Sequence, residues 1–459
     1  MKTGGIILID RLDGVMDRAA IISDKANTPN TAKAPEVDTV LFHDHLATTP
    51  RLGSIHHARI SRLFPQHQRA MLDLGGVEAS LRLAKHHRLE TGSIITVTVS
   101  ADAHQQKPPQ LRRGMRREGC WVVLSDQHAE LRFSATLRQQ TRQQEETASP
   151  AVASRFAYLQ DKQNQQRWLQ AAEGFGLTLR SSLAGHVPAP HELEAEIAML
   201  AGQLREIGDT LPAMGTPAAP GCCWPGPDIA EAARLLAPCH NIIEDSFGSH
   251  WREAGIDSVL DQATRSQVML EKGACLHIST PPGAAVIDID SAASGLPPLA
   301  LGKSALASIA RHLQLRGIGG PVVIDFPRLD RPARQQLDTA LRQLLADDPA
   351  RPQCHGFARG GLYLLERPWR HRPLAEIMAD HARMGGVEAI RQVHRFASGI
   401  SRGQRGLQLA MAEDVARWLA NEGGTAWQAV CSKAGPGLRL DTDKALAEGM
   451  ISCQDWQPR

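Results

Sequence analysis

Two short apolar runs each lead into an acid: 284–290, Ala-Ala-Val-Ile-Asp-Ile-Asp, and 321–326, Pro-Val-Val-Ile-Asp-Phe. Carboxylates beside Val and Ile are expected to lose hydration, and two close together repel, so a compensating positive charge stabilises the pair. Mg²⁺ suits such a site because it prefers oxygen ligands and keeps several waters, one of which can be activated against a phosphodiester. The competing explanation is that Asp288 and Asp325 are strand-end acids capped by backbone N–H groups or paired with arginine.

Between the runs, 304–316 has Leu306, Ile309 and Leu313 at helical spacing and Gly317 placed to stop the helix. Strand, helix, strand over about 40 residues predicts a βαβ unit with parallel strands and a right-handed crossover. Both acids then fall toward the carboxyl ends of their strands, where open α/β sheets bind ligands. Adjacent strands lie roughly 5 Å apart, close enough for one hard cation to bridge Asp288 and Asp325.

Composition bounds the rest. At 459 residues and 42% hydrophobic the chain can bury several cores, and its length suggests about three units. Lys and Arg number 51 against 49 Asp and Glu, so the net charge of +2 does not itself announce a nucleic-acid binder. Aromatics at 4% leave few stacking platforms for bases. No run of eighteen apolar residues and no signal peptide is evident, so no membrane segment and a cytoplasmic location are expected. Eight cysteines are scattered without Cys-x-x-Cys spacing and read mostly as reduced thiols; Cys222-Cys223 and Cys239-His240 are poor chelating arrangements.

A loose tract at 24–34 follows the hydrophobic opening. Short strands are then expected at 54–63, 70–74, 79–83 and 93–100, with a turn at Gly75-Gly76, the pattern of an OB-type β-barrel. Lys107 and the run Arg112, Arg113, Arg116, Arg117 form either a solvated basic loop or a phosphate-binding one. Beyond a strand at 119–124 come a Gln-rich stretch at 138–146, a segment 174–182 ending Arg180-Ser181-Ser182, and a charged helix over about 190–207. The chain is pattern-poor through 210–227. Helix at 230–236 and strand at 241–245 follow, and the tail offers a joint at 403–406, a helix at 411–421 and a strand at 438–441.

Residues 255–292 (Gly-Ile-Asp-Ser-Val-Leu-Asp-Gln-Ala through Val-Met-Leu-Glu-Lys-Gly-Ala to Ala-Val-Ile-Asp-Ile-Asp-Ser-Ala) resemble the ribonuclease E/G family's approach to its first metal-binding Asp. Residues 311–326 (Arg-His-Leu-Gln-Leu-Arg-Gly-Ile-Gly-Gly-Pro-Val-Val-Ile-Asp-Phe) resemble the approach to its second, and 351–355 with 358–362 the strand that follows. The resemblance implies an endoribonuclease that hydrolyses single-stranded RNA with Mg²⁺, or Mn²⁺, on catalytic Asp288 and Asp325. It also implies RNA contacts from Lys107, Arg112, Arg113 and Arg351, and a 5′-phosphate pocket at Arg180 and Ser181, whose donors suit phosphate. The implied fold is multidomain α/β, with an S1 barrel inserted ahead of a catalytic core of RNase H-like and DNase I-like subdomains.

Divisions follow from the same likeness: 1–50 and 207–272 for the RNase H-like part, 51–115 for the S1 barrel, 116–206 for the 5′-end sensor, 273–372 for the catalytic subdomain and 385–459 for a small C-terminal domain. Departures are also visible. Asp290 stands where the family has Asn and is a candidate for catalytic support; Met71 and Ser80 stand where S1 aromatics stack bases; and 370–374 lacks the family's Cys-Pro-x-Cys link, so no structural zinc is expected there and any homodimer must rest on other contacts. These departures favour the alternative of a non-catalytic RNA-binding protein on a degenerate scaffold, or a purely structural subunit of an RNA-processing assembly.

Overall fold

The computed structural model describes residues 4–23, 36–85, 88–105, 107–138, 157–210, 219–245, 248–346, 348–399 and 406–456. The tract 24–34, most of 138–146, residues 211–218 and the joint residues 403–405 lie outside them. The chain forms two compact units, residues 49–238 and residues 2–48 with 239–459.

The second unit begins with an antiparallel meander of β1 (Ile6–Asp10), β2 (Met16–Ser23) and β3 (Glu36–Asp44). In the first unit β4 (Ile55–Phe64), β5 (Arg69–Asp73), β6 (Glu78–Arg82), β7 (Ile94–Ala101) and β8 (Gln110–Arg113) pair in the order β4-β5-β6-β8-β7, and β7 returns to β4. This is a closed five-stranded barrel, parallel only at β6–β8, and it bears out the OB-type expectation. Ile60, Leu72, Leu81, Val97, Val99 and Leu111 fill it. The β5–β6 hairpin turns on Gly75 and Gly76, whose φ of 98° and 104° suit glycine, while both amides donate to the Asp73 carboxylate.

Beyond the barrel, β9 (Arg116–Glu118), β10 (Val122–Ser125), β11 (Leu131–Phe133) and β12 (Gly176–Leu179) form a sheet in the order β11-β12-β10-β9. Helix α1 (Lys162–Ala171) and helix α2 (Pro190–Asp209) flank it. α2 starts on Pro190, where a missing N–H costs nothing, and buries Leu193, Ile197, Leu200 and Leu204 at helical spacing. β13 (Gly221–Trp224) pairs with β4, and α3 (Ile229–Leu236) ends the unit.

Back in the second unit, β14 (Asn241–Glu244) lies parallel to β1, and α4 (Ile256–Thr264) packs Ile256 and Leu260 with Leu8, Ala20 and Trp251. The six-stranded sheet that follows has the order β15-β16-β17-β18-β20-β19, from β15 (Gln267–Met269), β16 (Cys275–Ser279), β17 (Ala285–Asp290), β18 (Gly320–Asp325), β19 (Gln353–Phe357) and β20 (Tyr363–Arg367). Only β17–β18 is parallel, joined through α5 (Pro298–Leu315). The helix expected from 304 begins six residues earlier because Pro298 opens it at N1; Gly317, with φ 63°, follows its end as expected. Leu301, Leu306, Ile309 and Leu313 of α5 and Leu337 and Leu341 of α6 (Arg331–Leu345) cover Ile287, Val322 and Ile324. Each such buried side chain contributes about 1.5–3 kcal/mol, so one face of the sheet carries the stability.

The tail contains α7 (His381–Ala397), β21 (Leu407–Met411), α8 (Glu413–Asn421), α9 (Gly424–Ala434), β22 (Leu438–Thr442) and β23 (Ile451–Asp455), with β21 central in its sheet. Met411, expected to start a helix, instead ends a strand. Leu407, Leu409 and Met411 are buried at a spacing of two, and that period prevails.

Candidate active site

β17 alternates strictly between buried and exposed, with Ala285, Ile287 and Ile289 under the helices and Val286, Asp288 and Asp290 on the opposite face. Asp288 stands in register with Asp325 across the parallel ladder, and both are exposed. The carboxylates thus come together as expected, but the desolvation anticipated from their apolar neighbours is absent: those neighbours point to the other side. In water, two such charges about 5 Å apart repel by only about 1 kcal/mol. The fold therefore holds the pair without needing a cation, and the pair remains available to one.

The next residue after Asp325, Phe326, turns inward onto Phe357 and Tyr363, with ring centroids 5.5 and 6.2 Å away, which anchors the strand end. Tyr363 in turn donates its hydroxyl to Asp338 at 2.8 Å. On the other side of β17, His277 is in register with Asp288, and Cys275 with Asp290. Asp290 accepts from the Ala292 amide at 2.8 Å, so one of its oxygens is oriented by backbone. Cys275 Sγ lies 3.4 Å from His277 Nε2. The sequence reading passed over this cysteine and histidine, although Cys-Leu-His on a strand places both on one face.

Arg351 lies in the turn before β19 with φ 57° and is exposed. That turn is held by Asp348, which accepts from the Ala350 amide at 2.9 Å and forms a buried two-pronged pair with Arg367 at 2.7 and 3.0 Å.

In the first unit Arg112 and Arg113 are exposed on β8, and the exposed Lys107 pairs by backbone with His104. Arg117 is different: at 2% exposure it bonds Gln203 and Glu231 and stacks 3.7 Å from the Trp224 centroid. Burial lowers its pKa and Glu231 offsets that, the signature of an internal packing residue. Met71 and Ser80 are register partners on β5 and β6, Met71 half-buried and Ser80 buried.

Arg180 and Ser181 follow β12 directly, both half-buried. The Arg180 guanidinium donates to the carbonyls of Gly119 and Leu235. Nearby, half-buried Glu196 accepts from the amides of Cys120 and Trp121 at 2.5 and 2.9 Å; burial raises its pKa, while those amides and Arg180 oppose the rise. Arg180 thus braces a charged, internally bonded corner.

An OB-type barrel combined in one chain with an α/β unit that presents paired acids at parallel strand ends defines a multidomain α/β protein. Residues 234–370 match the Ribonuclease E/G family, and through this segment the chain is similar to that family. Ribonuclease E of Escherichia coli (strain K12) is 32% identical over 31% of this chain and 13% of its own length. Ribonuclease E of Synechocystis is 32% identical over 27% and 20%, and that of Haemophilus influenzae 34% over 26% and 13%. The matches therefore span between 13% and 20% of these relatives. Asp288, Asp290, Asp325 and Arg351 lie inside the matched segment; the barrel, Arg180 and Ser181 lie outside it. Among the described residues no helix is long and apolar enough to cross a membrane.

Proposed function

We propose that this chain is an endoribonuclease that hydrolyses single-stranded RNA, with Asp288 and Asp325 as its catalytic pair. The observation that carries the reading is the in-register, exposed pair of carboxylates on adjacent parallel strands within the segment that matches the Ribonuclease E/G family. An all-oxygen pair with open solvent around it fits a hard cation such as Mg²⁺, or Mn²⁺, which keeps most of its waters. When bound, such an ion supplies charge stabilisation at the phosphate and a more acidic water.

The residues of the chain supply the rest. Asp288 and Asp325 hold their carboxylates side by side on a sheet stiffened from behind, so little reorganisation is needed on substrate binding. Arg351, on the turn pinned by Asp348, and Lys107, Arg112 and Arg113 on the barrel grip phosphates without reading sequence. Arg180 and Ser181, a guanidinium and a hydroxyl side by side after β12, engage a 5′-phosphate. The products are 5′-phosphate and 3′-hydroxyl ends. In this reading β1–β3 with β14 and β15 correspond to the family's RNase H-like part and β16–β20 to its DNase I-like part.

A second reading, a non-catalytic RNA-binding protein, is favoured by Met71 and Ser80 on the barrel and by the internal engagement of Arg180. One assay separates the two. Incubation with 5′-monophosphorylated and 5′-hydroxyl single-stranded oligoribonucleotides, in Mg²⁺ or in chelator, gives Mg²⁺-dependent cleavage under the first and binding without cleavage under the second.

A further inference from the structure

We infer that Cys275, His277 and Asp290 form a binding site for a borderline transition-metal cation of the zinc type, separate from the oxygen pair at Asp288 and Asp325. The inference goes beyond the proposed RNA hydrolysis and does not rest on it. One ligand atom from each of the three residues falls within 4.8 Å of the others. A tetrahedral zinc ion, with bonds of about 2.0–2.3 Å, places neighbouring ligand atoms about 3.5 Å apart. Cys275 Sγ and His277 Nε2 already stand 3.4 Å apart, so closure onto the buried thiol asks about an ångström of rotation from the exposed His277 and Asp290 side chains.

The ladder explains why the three meet. Cys275 and His277 are two residues apart on β16 and share a face, and Asp290 is the register partner of Cys275 on β17. The Ala292 amide holds one Asp290 oxygen and leaves the other for a cation, while Gln267 Nε2 lies 3.5 Å from Cys275 Sγ. Such outer contacts orient ligands in metal sites. Thiolate and imidazole ligands select zinc-like cations over Mg²⁺, and three protein ligands leave a fourth position open to water. Asp290, which stands where the resemblance expects Asn, supplies the negative charge that an amide would not.

The test uses the full chain and no RNA. Co²⁺ is titrated into the reduced protein, following the near-ultraviolet thiolate-to-cobalt charge-transfer band, and Zn²⁺ is then added to displace it. One equivalent should bind, the band should persist in excess Mg²⁺, and Cys222→Ser with Cys223→Ser should leave it unchanged. His277→Ala and Asp290→Asn, both at exposed positions, should each weaken Co²⁺ binding at least tenfold, and Cys275→Ser should abolish the band. A wild type without the band overturns the assignment. So does a band that survives Cys275→Ser, or wild-type affinity in both the His277 and Asp290 variants.

Discussion

Asp288 and Asp325 are register partners on the one parallel pair of the six-stranded sheet, and both project from the face opposite α5 and α6. Because burial on the other face stabilises the sheet, either acid can be changed at little cost to the fold. Asp288→Asn or Asp325→Asn is expected to lower Mg²⁺-dependent cleavage about 100-fold or more, the several kcal/mol that metal-assisted chemistry supplies. Urea midpoints should stay near wild type, and RNA affinity should change no more than a few fold. Undiminished turnover in either variant would exclude the pair from the chemistry.

How far the sequence announced this arrangement depends on the kind of signal. Asp288 and Asp325 were legible because two β-branched runs flank a helix of clear period, and that pattern allows few topologies. Exposure of the acids was not legible: the Val and Ile beside them suggested burial, whereas alternation along β17 sends neighbours to opposite faces. The barrel was readable from four strands and a Gly-Gly turn, but its fifth strand was hidden under Arg112 and Arg113, which read as a basic run. Arg117, the last residue of that run, proved internal because its partners, Gln203, Glu231 and Trp224, are remote in sequence.

Arg180 braces the corner formed by Gly119, Leu235 and Glu196. Arg180→Ala should therefore do two things. It should lower the preference for 5′-monophosphorylated over 5′-hydroxyl substrate while changing the rate on the latter little, and it should cost about 1 kcal/mol of stability by removing hydrogen bonds to part-buried acceptors. Rates on both substrates, paired with denaturant titration, separate the two effects. A wild type that cleaves both substrates equally would remove the sensor role and leave only the structural one.

Met71 sits half-buried on β5 opposite buried Ser80, so the barrel offers a thioether where an aromatic ring would stack a base. Met71→Phe is expected to tighten binding of a single-stranded oligoribonucleotide by about 1–3 kcal/mol, the usual worth of one base–aromatic stack. Fluorescence anisotropy at fixed salt measures it. An unchanged Kd would mean that RNA does not cross this part of the barrel.

Acid should destabilise the protein through buried histidines. His312 on α5 accepts from Arg316 Nε at 3.0 Å, and burial, with Arg316 and Arg311 nearby, pushes its pKa down to about 3; burial alone pushes His56 down to about 4. A histidine whose folded pKa is depressed binds its proton in the unfolded chain first. Stability is therefore fully present above about pH 6.5 and falls as pH drops toward the folded value, by up to about 1.4 kcal/mol per pH unit for each histidine. Denaturant titrations between pH 4 and 7 should show that slope, and His312→Gln should reduce it by as much as one proton. An identical slope in the variant would assign acid sensitivity elsewhere.

Zinc should not control the oligomeric state through the family's link position. Residues 366–387 contain no cysteine, and the described chain there is committed to its own unit: Leu374 is buried, its amide donates to the Arg316 carbonyl at 3.0 Å, and Arg372 pairs with Glu376 at 3.0 Å. Tetrahedral sulfur coordination between subunits at this position is thus excluded by composition. Sedimentation should give the same mass with and without a strong chelator, even though the chelator empties any cation held by Cys275, His277 and Asp290. That site draws all three ligands from adjacent strands of one sheet, so its occupancy has no partner subunit to recruit. A chelator-induced fall in mass that zinc reverses would instead place bridging ligands elsewhere in the chain, with Cys431 and Cys453 the first to substitute.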